Sequence, residues 1–181
     1  MKKYFMTLAA ALCCAMTTTV FTACGSDDDS PKDSAKLISA EWTYEASVEG
    51  TLFDLCDVSV TYKDENGQEK TEPVTGTTWS KTFTVKNFPF NSSIKLNATR
   101  NNVAATAESY DYVVKYYLAK VTAIYSNGQK KNVEKLGNYL RKAGNCKAAK
   151  VDDNIESLNS WNLKYILTVE DNELKCTSEL E

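Results

Sequence analysis

The sequence predicts an all-β domain over residues 37–181: an antiparallel β-sandwich, in an immunoglobulin-like arrangement, carrying one short helix. Three observations predict it. Apolar and polar residues alternate in segment after segment, those segments are short and bounded by turn residues at regular spacing, and only one stretch keeps helical periodicity. A closed barrel or a jelly roll is the rival architecture, since strand order is not written in one sequence.

The first strand is the clearest. Ile38, Ala40, Trp42, Tyr44, Ala46 and Val48 form an unbroken apolar stripe, and Ser39, Glu41, Thr43, Glu45 and Ser47 between them are polar. Period two is the mark of a strand with one face buried. Cys56, Val58, Val60 and Tyr62 repeat the pattern up to Asp64-Glu65-Asn66-Gly67, where Asn-Gly predicts a tight hairpin because both residues tolerate positive φ. The return strand covers residues 68–74, with Pro73 at its end or on an edge.

Trp79, Phe83 and Val85 mark a strand ending at Asn87-Phe88-Pro89, and Ile94, Leu96 and Ala98 mark the next. A further piece is expected from Val103 to Ala107. Tyr110, Tyr112, Val114, Tyr116 and Leu118 alternate again, then Val121, Ala123 and Tyr125 run to Asn127-Gly128. Asn127-Gly128-Gln129-Lys130-Lys131 echoes Asn66-Gly67-Gln68-Glu69-Lys70, a match that convergent turn chemistry explains more readily than a duplication does. Val133, Leu136, Gly137 and Leu140 fall at helical spacing, with Gly144 as a stop, so the helix is expected near residues 132–143. Residues 144–160 read as loop, with a turn at Asp152-Asp153-Asn154. Leu163, Tyr165, Leu167 and Val169 form the last clear strand, turned by Glu170-Asp171-Asn172-Glu173 into a short partner through Leu174 and Cys176.

The chain ahead of this domain has a different character. Lys2 and Lys3 precede an uncharged, mostly apolar run over residues 5–20, and small Ala23 precedes Cys24. A charged start, a short apolar core and a small-residue cleavage site describe a secretory signal over residues 1–23. The run is shorter than the roughly 20 apolar residues of a membrane-spanning helix. Phe21-Thr22-Ala23-Cys24 resembles the lipobox of Bacteroidetes lipoproteins, and Gly25-Ser26-Asp27-Asp28-Asp29 resembles the acidic signal that sends them to the outer face of the outer membrane. Asp33-Ser34-Ala35 is similar to the O-glycosylation motif of that phylum, with Ser34 as acceptor.

The resemblance covers the first 35 or so residues. It implies lipidation at Cys24, an export signal in Ser26, Asp27, Asp28 and Asp29, and an outer-membrane anchor facing the cell exterior. Acyl chains supply the membrane affinity, at about 0.8 kcal/mol for each buried methylene. Residues 24–36 form an acidic, polar tether that is expected to be disordered and to reach at most roughly 40 Å.

Composition removes whole classes of activity. Without residues 1–23 the chain keeps 158 residues, enough for one domain with a real core, and its net charge moves from −3 to −5. An acidic surface with only two arginines, Arg100 and Arg141, argues against nucleic acid as a partner. No histidine occurs, which excludes Ser-His-Asp and Cys-His catalysis and histidine metal sites. Beyond the signal and Cys24, three cysteines remain, Cys56, Cys146 and Cys176; one disulfide or three free thiols are both compatible with that number.

No metal site, cofactor or catalytic motif is expected. Glu41, Glu45 and Glu49 share the polar face of the first strand, as any solvated strand face does, and the acidic turns lack calcium-loop spacing. Trp42 belongs to the core stripe. Trp79 and Trp161 lie at loop–strand borders and are the candidate ligand-binding aromatics, while Tyr117 points away from the face that holds Tyr110, Tyr112 and Tyr116. The expectation is a non-catalytic binding or adhesion module for an extracellular glycan or protein. A protease or toxin inhibitor, an immunity-type protein or an accessory subunit of a surface complex are the alternatives. Exposed coplanar aromatics, a long ordered loop and an unpaired apolar edge strand would discriminate among them.

Overall fold

The structure, a computed structural model, describes residues 35–133 and 138–181, and for residues 138–145 the backbone alone. Cys24, Ser26, Asp27, Asp28, Asp29 and Ser34 lie outside the described residues. Ten strands and one helix follow in order: β1 (Leu37–Glu49), β2 (Cys56–Lys63), β3 (Glu69–Pro73), β4 (Thr78–Val85), β5 (Phe90–Arg100), β6 (Ser109–Tyr125), β7 (Lys130–Asn132), β8 (Asn138–Lys147), α1 (Val151–Asn159), β9 (Leu163–Glu170) and β10 (Glu173–Leu180).

Every pairing is antiparallel, and the strands form two five-stranded sheets. The first sheet runs β4-β1-β6-β7, with β8 also paired to β6; the second runs β10-β9-β5-β2-β3. Two sheets with free edges make a sandwich and not a closed barrel. β1 pairs with β4 while β2 pairs with β5, the B–E and C–F pairings of an immunoglobulin domain, with β3 in the place of C′ and β9 in that of G. The correspondence stops at β6, which comes late in the chain yet takes the position beside β1 that strand A holds in that fold.

The core is aromatic. Trp42 is fully buried, and its ring meets Tyr44, Phe90 and Tyr165 edge-on at centroid distances of 5.6, 5.7 and 5.9 Å. Edge-to-face packing suits the ring quadrupoles, and it joins β1 of one sheet to β5 and β9 of the other. The expected β1 stripe holds from Ala40 onward. Ile38, however, is 52% exposed and Ser39 is buried, because a register shift between Leu37 and Ser39 turns the side chains over.

The helix lies elsewhere than its spacing suggested. Residues 138–147 form β8, hydrogen-bonded along β6 from Ser109 to Tyr117, so the helix expected near residues 132–143 is not there. β6 is 17 residues long and offers a free edge, and a chain returning from the Tyr125–Gly128 turn pairs with it whatever its apolar spacing. The helix is α1, in the stretch read as loop, where Val151, Ile155 and Leu158 are buried and Asp152 and Asp153 sit in the first turn. Acidic side chains there complement the helix dipole. Residues 101–108 form no strand, contrary to the piece expected from Val103 to Ala107.

The two similar hairpin turns have one geometry. Asp64 and Tyr125 each accept from the glycine three residues on, Gly67 and Gly128, at 2.9 Å, and each donates to the following glutamine carbonyl. The glycines alone take positive φ, +74° and +82°, so these are type I turns closed by a glycine bulge; the Asn does not share the positive φ expected of it. The two-residue turn with both φ positive is instead Asp171-Asn172, between β9 and β10.

Ala35 and Lys36, the last residues of the expected tether, are already tied down. The Lys36 carbonyl accepts from the Ser126 N–H and the Lys36 N–H donates to the Ser126 hydroxyl, and Asn172 holds Ala35 and Leu37 through its side-chain amide.

Candidate functional site

The alternation that fills the core also decides what the outer faces present. In the second sheet Tyr62, Ile94, Leu163 and Tyr165 point inward, so Lys63, Asn91, Ser93, Lys164, Ile166 and Thr177 point outward. Together with Glu69 and Glu179 they line an open groove of about 600 Å³ across that face. Its floor is hydroxyl and amide, its walls carry lysine and glutamate, and Ile166 is its exposed apolar residue. Such a surface supplies hydrogen-bond donors and acceptors in quantity and no nucleophile–base pair.

A smaller groove of about 440 Å³ crosses the outer face of the first sheet, lined by Glu45, Ser47, Thr78, Ser80, Lys115 and Tyr117. The Tyr117 hydroxyl donates to Glu45 at 2.5 Å, and the Lys115 ammonium sits 4.2 Å from the Tyr117 ring centroid. Hydrogen bonding to the Glu45 carboxylate, helped by partial burial, raises the Tyr117 pKa above its usual range. Tyr117 thus does lie on the outer face, bound to one of the three glutamates that share it.

The two tryptophans stand apart. Trp79 is on β4, half-buried, with its ring 5.2 Å from that of Tyr62 at an angle of 49°. Its indole N–H donates to Glu72 Oε2 at 3.1 Å, and Glu72 also accepts from Tyr62 at 2.7 Å and from Lys81 at 2.6 Å. Trp79 is therefore a strut between edge strands β3 and β4, and it borders the smaller groove. Trp161 is 38% exposed in the connection from α1 to β9; its carbonyl accepts from the Tyr116 hydroxyl at 3.0 Å. It borders neither groove, although its neighbour Asn162 lines the larger one. The structure does not bring the two rings into one platform.

Sequence reasoning passed over the residues that line the larger groove. Most are the polar partners in alternating strands, and only cross-strand register shows that five strands bring them into one surface.

Both edges of the second sheet are polar. β3 carries Glu69, Lys70, Glu72 and Pro73, and β10 carries Glu173, Lys175 and Glu179, which discourages strand addition there. The described connections are short, the longest without regular structure being residues 101–108. Cys56, Cys146 and Cys176 are free thiols. Among the described residues no group of three or more Cys, Asp or Glu is placed to hold a metal, and no helix is long and apolar enough to cross a membrane.

Fold and surface together define an antiparallel two-sheet β-sandwich with an open polar groove on one face. No protein-family model, curated protein or solved structure matches the chain.

Proposed function

We propose that the chain is an outer-membrane lipoprotein, anchored through Cys24 and facing the cell exterior, whose sandwich is a non-catalytic module that binds an extracellular glycan. The observation that carries the binding role is the groove on the second sheet. It is wide and open, and it is furnished with the hydroxyl, amide and charged groups that sugar hydroxyls pair with. Polar edge strands on the second sheet and short connections favour a face of the sandwich over strand addition or a protruding inhibitory loop. The anchor rests on the lipobox-like Phe21-Thr22-Ala23-Cys24 and the acidic run behind it.

Two experiments test the two halves. Metabolic labelling with palmitate, followed by protease shaving of intact cells, should label the chain and remove it from the surface; Cys24→Ser should abolish the label. A polysaccharide array probed with purified chain should show saturable binding that Asn91→Ala weakens and Trp161→Ala does not. Failure to bind any glycan would transfer the binding role to a protein partner, sought by pull-down from whole cells.

A further inference from the structure

We propose that the groove on the second sheet takes an anionic glycan, whose carboxylate or sulfate groups are read by Lys63 and Lys164 from either side of Ser93. This rests on the glycan-binding role proposed above. Strand pairing sets Lys164 opposite Ser93 and Glu179 opposite Lys164. Lys63 lies opposite Glu69 and follows Tyr62, the partner of Ile94, so it stands in line with Ser93 on the other side. One row thus crosses all five strands as Glu69, Lys63, Ser93, Lys164, Glu179. With neighbouring strands about 4.8 Å apart, the two lysine Cα atoms are about 10 Å apart. A chain of acidic sugars laid across the strands can meet both.

The Lys63 ammonium carries the argument. Lys63 is half-buried in the groove wall, yet its side chain makes no ion pair or hydrogen bond among the described residues, despite Glu69 beside it. A cation without a counter-charge at the wall of a polar groove is a place where an anion gains a charge-assisted hydrogen bond. Lys164 is paired with exposed Glu181, a contact that a ligand anion can exchange. Ser93 and Asn91, on the floor between and beside the lysines, are placed for the sugar hydroxyls. Glu69 and Glu179 at the two ends repel a continuous phosphate backbone and leave room for separated acidic groups, which favours an acidic glycan over nucleic acid.

The test uses purified full chain carrying Cys24→Ser, titrated with polygalacturonate, alginate and chondroitin sulfate, each beside its carboxyl-reduced or desulfated form. The expected result is binding to at least one anionic polymer, absent for its neutralised form and weakened by added salt. Lys63→Gln and Lys164→Gln should each weaken it on the order of tenfold, as loss of one charge-assisted contact does, while Lys115→Gln on the other sheet leaves it unchanged. Circular dichroism checks that each variant is folded. Equal binding of charged and neutralised forms, sensitive to Asn91→Ala but not to Lys63→Gln, overturns the anionic assignment and keeps the groove. Binding that none of the groove variants alters overturns both, as does the absence of binding to every polymer.

Discussion

Glu72 holds Trp79 by accepting its indole N–H at 3.1 Å, and the same carboxylate accepts from Lys81 and Tyr62. β3 and β4 are edge strands of different sheets, so this one carboxylate latches the sandwich shut along that side. Trp79 is thereby spent on closure, which explains why an aromatic at a strand border is not an open platform.

The latch has a pH dependence. Hydrogen bonding from Lys81 and then from Tyr62 holds the Glu72 carboxyl below its usual 4.5. A depressed folded-state pKa stabilises above the unfolded carboxyl range, and that contribution disappears as pH falls through the folded value. Melting temperature should therefore drop on acidification below about pH 4.5. Glu72→Gln should flatten that slope, cost about 1 kcal/mol at neutral pH for a partly exposed charged contact, and red-shift Trp79 emission.

Trp42 spans both sheets. Trp42→Ala should cost about 3–5 kcal/mol in chemical denaturation, and Trp42→Phe clearly less, because a ring that still fills part of the site leaves a smaller cavity.

Gly50 is held at φ +105°, and a Cβ there would lie 2.5 Å from the backbone oxygen of Asp111. Backbone cannot yield as a flexible side chain does. Gly50→Ala should lower stability by about 2 kcal/mol or more, from strain plus displacement of β6. Asp111→Ala, which removes the hydrogen bonds from Thr51 N–H and hydroxyl to the exposed Asp111 carboxylate, should cost less than Gly50→Ala.

Asn172 joins the β9–β10 turn to the chain's entry into β1: its side chain accepts from the Leu37 N–H at 2.8 Å and donates to the Ala35 carbonyl at 2.5 Å. Asn172→Gly keeps the positive φ and removes only these bonds, so amide exchange at Leu37 should accelerate on the order of tenfold with little change in global stability. Asn172→Ala should in addition lower stability by about 1 kcal/mol, because alanine resists φ of +62°.

Burial pushes the Cys56 and Cys176 thiols up to about 11 and raises Cys146 as well. Thiolate is the reactive form, so labelling at these three positions, mapped by mass spectrometry at mildly alkaline pH, should be slow in the folded chain and complete after denaturation. Reductant should leave the melting temperature unchanged.

Most of the fold was legible because burial on one face writes a period of two into a strand. Residues 40–48 and 110–118 show it plainly, and both face the core as read. The helix was misplaced for the same reason in reverse: α1 needs only three buried residues and is short, while the helical spacing of Val133, Leu136 and Leu140 runs into residues 138–147, which β6 recruits as a strand along its edge. Ile38 misled because a one-residue register shift inverts every side chain beyond it.

By itself the sequence determined the all-β class, the buried Trp42, the hairpin turns at Asn66-Gly67 and Asn127-Gly128 and the exclusion of histidine chemistry, all of which depend on residue identity and near neighbours. Only the tertiary structure decided that β6 lies beside β1, that Trp79 is tied to Glu72, and that Lys63, Ser93 and Lys164 share one row. Those relations join residues tens of positions apart through strand register, which the packing of the whole core fixes and no local pattern records.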